Sequence, residues 1–151
     1  MNTKLQQRRL VIGAMAIASA IALAYGCGSM PGAMGGRAET LTLSGSNEVP
    51  AVNTAATGTA VVTIKPDKSV TVKVTVTGMT ATASHIHEGA TGTNGPVIVP
   101  FTKTADNTFE APAGAKLTDA QYESYKAGKL YVNVHSAANP GGEVRAQLKG
   151  S

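Results

Sequence analysis

Val70, Val72, Val74 and Val76 alternate with Thr71, Lys73, Thr75 and Thr77, giving one β-branched apolar face and one polar face at a period of two. A helix brings side chains to one face every 3.6 residues, so these valines share a buried face only in a strand. Residues 57–64 repeat the pattern less strictly, and Lys65-Pro66-Asp67-Lys68 supplies a tight turn between the two. Further short runs at 39–43, 83–88, 97–101, 108–110, 130–135 and 142–149 bring the expected strands to eight. Seventeen glycines, seven prolines and no tryptophan suit a chain cut by many turns. The expected fold is all-β, an antiparallel β-sandwich or Greek-key barrel of about eight strands with one short helix. That helix starts at the capping box Thr118-Asp119-Ala120-Gln121 and ends at Gly128, with Leu117, Tyr122 and Tyr125 to dock it.

The amino-terminal end is of a different kind. Lys4, Arg8 and Arg9 precede a mostly apolar stretch over 10–25, the layout of a secretory signal and short for a spanning helix. Removing residues 1–26 takes away three of the thirteen basic residues, leaving ten against nine acidic ones. No basic cluster then remains to bind nucleic acid, and no nucleic-acid partner is expected. The only cysteine, Cys27, follows Leu23-Ala24-Tyr25-Gly26. This stretch resembles a bacterial lipobox, with Ala24 where leucine is usual. The resemblance implies lipidation of Cys27 and attachment to a membrane of the cell envelope. Gly28 rather than aspartate follows the cysteine, which points to the outer membrane, facing the periplasm or the cell surface. Residues 27–38 read as a flexible, glycine-rich tether and 39–151 as the folded domain.

All three histidines fall on two of the expected strands. In Ser84-His85-Ile86-His87-Glu88, Ile86 belongs to the apolar face, which turns His85 and His87 together onto the other. In residues 130–135, Leu130, Val132 and Val134 point inward and send Tyr131, Asn133 and His135 outward. In residues 142–149, Glu143, Arg145 and Gln147 are outward by the same rule. Were these strands neighbours, one half-exposed polar face would gather three imidazoles, a carboxylate and a guanidinium. Three neutral imidazoles suit a single copper or zinc ion. Glu88, Glu143, Arg145 and Asn133 are the candidate supporting residues, Arg145 by a salt bridge to Glu143. No catalytic group is indicated: Ser84 and His85 face opposite sides of one strand, as do His135 and Ser136, so neither makes a nucleophile–base pair.

Five segments in order then resemble the CHRD (chordin-type) domain family. They are Gly45-x-x-Glu48-Val49-Pro50, Ala83-Ser-His-Ile-His87-x-Gly89, Thr91-Gly-Thr-Asn-Gly-Pro96, Gly128-Lys-Leu-Tyr-Val-Asn-Val-His135 and Pro140-Gly-Gly-Glu-Val-Arg-Ala-Gln147. The resemblance implies an all-β extracytoplasmic module and names no activity. A weaker likeness, to copper/zinc superoxide dismutases, lies in His85-Ile-His87-Glu88 ahead of a Gly/Asn-rich loop. Three histidines cannot build that enzyme's two metal sites, and one cysteine cannot form its disulfide. Two readings therefore stand. One is a lipid-anchored module holding a single copper or zinc ion through His85, His87 and His135. The other is a non-catalytic envelope interaction module, meeting a protein partner, whose His/Glu/Arg cluster is a hydrogen-bonded lock between strands.

Overall fold

A computed structural model describes residues 35–150. The expected signal segment, Cys27 and the expected tether as far as residue 34 lie outside the described residues. Nine antiparallel strands and one helix follow in the order β1 (Ala38–Ser44), β2 (Thr57–Ile64), β3 (Val70–Thr77), β4 (Ala81–Glu88), β5 (Val97–Pro100), β6 (Thr102–Ala105), β7 (Thr108–Glu110), α1 (Asp119–Lys126), β8 (Leu130–Ser136) and β9 (Val144–Gln147). A single 3₁₀ turn, Gly45–Asn47, leaves β1.

The strands form one sheet in the order β5-β4-β8-β9-β1-β2-β3-β7-β6. Its two edges, β5 and β6, are consecutive in the chain and separated only by Phe101. The sheet therefore curls until its ends nearly meet, the sandwich or barrel that the alternation predicts. One bridge, Ser44↔Arg145, joins β1 to β9 and so links the two halves on the far side.

The alternating valines behave as expected. Val70, Val72, Val74 and Val76 are buried, and Ala60, Val62 and Ile64 of β2 face them across the pair. Phe109, 1% exposed, is the one phenylalanine sealed in the core. Burying such a side chain contributes about 1.5–3 kcal/mol, so the closely packed Val, Ile and Leu carry most of the stability. Helix α1 has the complete capping box: Gln121 N–H donates to Thr118 Oγ1 at 3.2 Å and Thr118 N–H to Gln121 Oε1 at 2.9 Å. Gly128, at φ +68°, ends it. Leu117 and Tyr125 are buried beneath it and Tyr122 packs at the edge of the core.

Two expectations need correction. The strand expected over 97–101 stops at Pro100, and a ninth strand, β6, follows. Thr102 to Ala105 are exposed on both faces, so no apolar alternation marks this edge strand. The last strand, expected from Gly142, begins at Val144, because Gly142 at φ +131° lies outside extended geometry for an L residue.

Candidate metal centre

Strand β8 lies between β4 and β9, so the adjacency that a shared polar face requires is present. The β4–β8 register pairs Ala83 with His135, His85 with Asn133 and His87 with Tyr131; the β8–β9 register pairs Asn133 with Arg145 and Tyr131 with Gln147. Successive side chains of a strand alternate, so all these residues except Ala83 form one patch of polar and aromatic groups on the side away from the core.

This face is half-exposed only at His85, His135 and Gln147. Tyr131 and Asn133 are 2% exposed and Arg145 1%. Residues 89–96 and the segment after the 3₁₀ turn fold over it. Arg145 donates to the carbonyls of Ala90 and Thr93 and to Asn94 Oδ1, and Gln147 Nε2 donates to the Gly89 carbonyl. Asn94 Nδ2 in turn donates to the Val49 carbonyl at 2.6 Å, tying the two covering segments together. Strand parity reports which face a residue takes, and not what covers that face.

The three histidines meet at the rim of the covered patch, with His87 buried and His85 and His135 half-buried. Each offers a ring nitrogen such that all three atoms lie within 4.8 Å of one another. His87 Nδ1 stands 2.9 Å from the Gly95 carbonyl and His135 Nδ1 2.9 Å from the Pro140 carbonyl. A carbonyl only accepts, so both Nδ1 atoms carry the proton, and in the neutral rings both Nε2 atoms carry a bare lone pair. His85 Nδ1 is 3.1 Å from His135 Nε2. Burial, and then the neighbouring His135 and His87, push His85 down to about 4. Burial also lowers His87, outweighing the Gly95 hydrogen bond that raises it. Gly95 must be glycine for this delivery, because a Cβ there would overlap the Glu88 carbonyl.

His87 is also held from its flank. Its ring stacks on Tyr131 at 4.9 Å and 8°, and the Arg145 guanidinium lies 3.4 Å from the centre of the same Tyr131 ring. Tyr131 thus contacts both the imidazole and the guanidinium, the latter as a cation–π contact closed over by the loop.

Three of the expected supporting residues take other positions. Glu88 shares its parity with Ile86, and its carboxylate accepts from Ser124 of α1 at 2.5 Å. Glu143 precedes β9, so the outward rule does not reach it; its carboxylate accepts from Thr54 at 2.8 Å and from Ser136. These hydroxyls hold Glu143 below the usual carboxylate range, Ser136 the more strongly. Arg145 consequently makes no ion pair with Glu143: its hydrogen bonds go to the loop. Asn133 alone of the four lies among the histidines.

Residues 40–148 match the CHRD domain. The chain belongs to the CHRD domain family. No curated protein and no solved structure gives a significant match.

Sequence reasoning overlooked one residue of this CHRD domain. Glu48 is 6% exposed, and burial raises it to about 7 against the opposing pull of Arg145. Its signal was an acid set between polar and apolar neighbours in the Gly45-x-x-Glu48-Val49-Pro50 segment, where no strand pattern explains it.

Glu48 and His85 have opposite linkage to folding. His85 contributes stability that is complete above its ordinary 6.5 and lost as pH falls toward about 4. Glu48 contributes stability that is complete below its ordinary 4.5 and lost as pH rises through about 7. Between those ordinary values the two effects oppose each other and flatten the curve. In metal-free protein, Glu48→Gln should therefore make Tm climb more steeply than in wild type between about pH 5 and about pH 6.5. A variant with the wild-type slope would show that Glu48 is not a buried, proton-linked group.

Proposed function

We propose that this CHRD domain holds a single copper or zinc ion through His85, His87 and His135. The observation that carries the reading is the pair of backbone bonds at Gly95 and Pro140. They fix the tautomer of His87 and His135 so that each Nε2 keeps a lone pair, and one ring nitrogen from each of the three histidines lies within 4.8 Å of the others. Such bonds from the far ring nitrogen are how ligating histidines are oriented. Nitrogen ligands at about 2.0–2.1 Å from one ion stand about 3.3–3.4 Å apart in a tetrahedral site, and the three ring nitrogens lie within 4.8 Å of one another, so binding draws the rings together by up to about 1.4 Å. The depressed basicity of His85 and His87 keeps them neutral near pH 7, the form that ligates. Imidazole nitrogen suits Cu(II) and Zn(II), copper the more tightly.

The domain is proposed to work outside the cytoplasm, tethered to a membrane through lipidated Cys27. The signal-like layout of residues 4–25 and the Gly26-Cys27 junction support this. Labelled palmitate supplied to bacteria expressing the chain should enter the wild type and not Cys27→Ser; equal incorporation would remove the anchor.

One contact favours the second reading, a metal-free lock. His85 Nδ1 and His135 Nε2 at 3.1 Å make a direct hydrogen bond if His85 carries the proton there. Calorimetry separates the two. Metal-free full chain in detergent, titrated with Cu(II) and Zn(II), should bind one ion at about micromolar affinity or tighter, and His85→Ala/His87→Ala should not. No heat from the parent, with the double variant melting lower, would establish the lock instead.

A further inference from the structure

Three buried side-chain atoms lack a hydrogen-bond partner among the described residues: Glu48 Oε1, His87 Nε2 and Asn133 Oδ1. Buried polar atoms are rarely left so, and these three belong to residues that adjoin one another. Asn133 is the direct cross-strand neighbour of His85 and shares its strand face with His135 two residues on. Its amide is near enough to bear on both the Glu48 carboxyl and the His87 ring, though no well-formed hydrogen bond reaches Oδ1 or His87 Nε2.

Gly142 shows which way the amide is turned. A Cβ on Gly142 would stand 2.5 Å from Glu48 Oε1 and 2.7 Å from Asn133 Nδ2, so the carboxyl and the amide nitrogen share the space that glycine leaves. With Nδ2 on the carboxyl side, Oδ1 is left on the imidazole side. The His87 ring, which interacts with Asn133, offers a buried Nε2 that has no proton because Nδ1 holds it for the Gly95 carbonyl. Two atoms that both offer lone pairs cannot hydrogen-bond to each other. A cation between them satisfies both.

We infer that Asn133 supplies the fourth ligand of the three-histidine site through its side-chain carbonyl oxygen, aimed there by Glu48 in the space beside Gly142. This rests on the metal reading above and sharpens it. Four protein ligands close a site, whereas a metal that activates water keeps a position open. The site is then built to hold an ion or pass it on, rather than to run hydrolytic chemistry. The rival arrangement turns the amide by half a rotation, so that Nδ2 donates to His87 Nε2 and a protonated Glu48 donates to Oδ1. That arrangement occupies the His87 lone pair and belongs to the lock.

The test uses the full chain in detergent, with Zn(II) affinity from competition against a chelating dye and the visible spectrum of the Co(II) form. Asn133→Leu removes the oxygen at similar size and should weaken Zn(II) at least about tenfold and alter the Co(II) bands. Asn133→Asp keeps the shape and adds charge; it should bind at least as tightly as wild type, which guards against loss through misfolding. Gly142→Ala changes no ligand, yet should weaken binding by about tenfold through the displaced Glu48 and Asn133. A wild type that takes no ion overturns the three-histidine reading itself. A wild type that binds, with Asn133→Leu matching it in affinity and spectrum, overturns only the assignment of Asn133.

Discussion

Tyr131, Asn133 and Arg145 sit on the outward face of two barrel strands, yet residues 89–96 and the segment after β1 seal them from water. A polar face closed in this way must satisfy its own hydrogen bonds, because each buried group left unpaired costs about 1–3 kcal/mol. Arg145 sets the terms. A guanidinium cannot shed its charge, and no carboxylate of the described residues forms an ion pair with it. It draws instead on loop carbonyls, on Asn94 and on the face of Tyr131, and so fixes the path of the loop. That path delivers the Gly95 carbonyl to His87. The lone pair at the candidate metal centre is thus traced back, contact by contact, to one buried cation on the third strand of the face.

The barrel supplies what the loop cannot. Ladder pairing across β4, β8 and β9 holds the Cα positions of the histidines on one rigid surface, and the buried Ile86, Val132, Val134 and Val144 beneath them fix its depth. The second covering segment brings Glu48 in from above. Sites built on strands keep their geometry better than sites built on loops alone. Here the three proposed histidine ligands come from strands, and loop carbonyls hold two of the rings. His85 and His135 are partly exposed at the rim, while His87 and Asn133 are buried.

Much of this was legible from parity alone. A period of two placed His85 and His87 on one face, and the same counting put Tyr131, Asn133 and His135 together. Parity applied consistently would also have removed Glu88, which counts with Ile86. It failed for Glu143 because Gly142 breaks the extended backbone before β9 begins. Strand β6 escaped because an edge strand exposed on both faces needs no apolar alternation. The cover over the polar face, and with it the roles of Glu48, Asn94 and the Gly95 carbonyl, arises from contacts between segments dozens of residues apart. Local periodicity carries no record of those.

X-ray absorption at the zinc edge of the Zn(II)-loaded full chain tests the central claim most directly, because it reads the donor atoms themselves. The account predicts a first shell of only nitrogen and oxygen at about 2.0–2.1 Å, with the outer-shell scattering of imidazole. A sulfur shell at about 2.3 Å would place the ion on a thiolate rather than on the histidines, and a shell without imidazole scattering would place it away from them. Either result would contradict a metal centre built by β4 and β8.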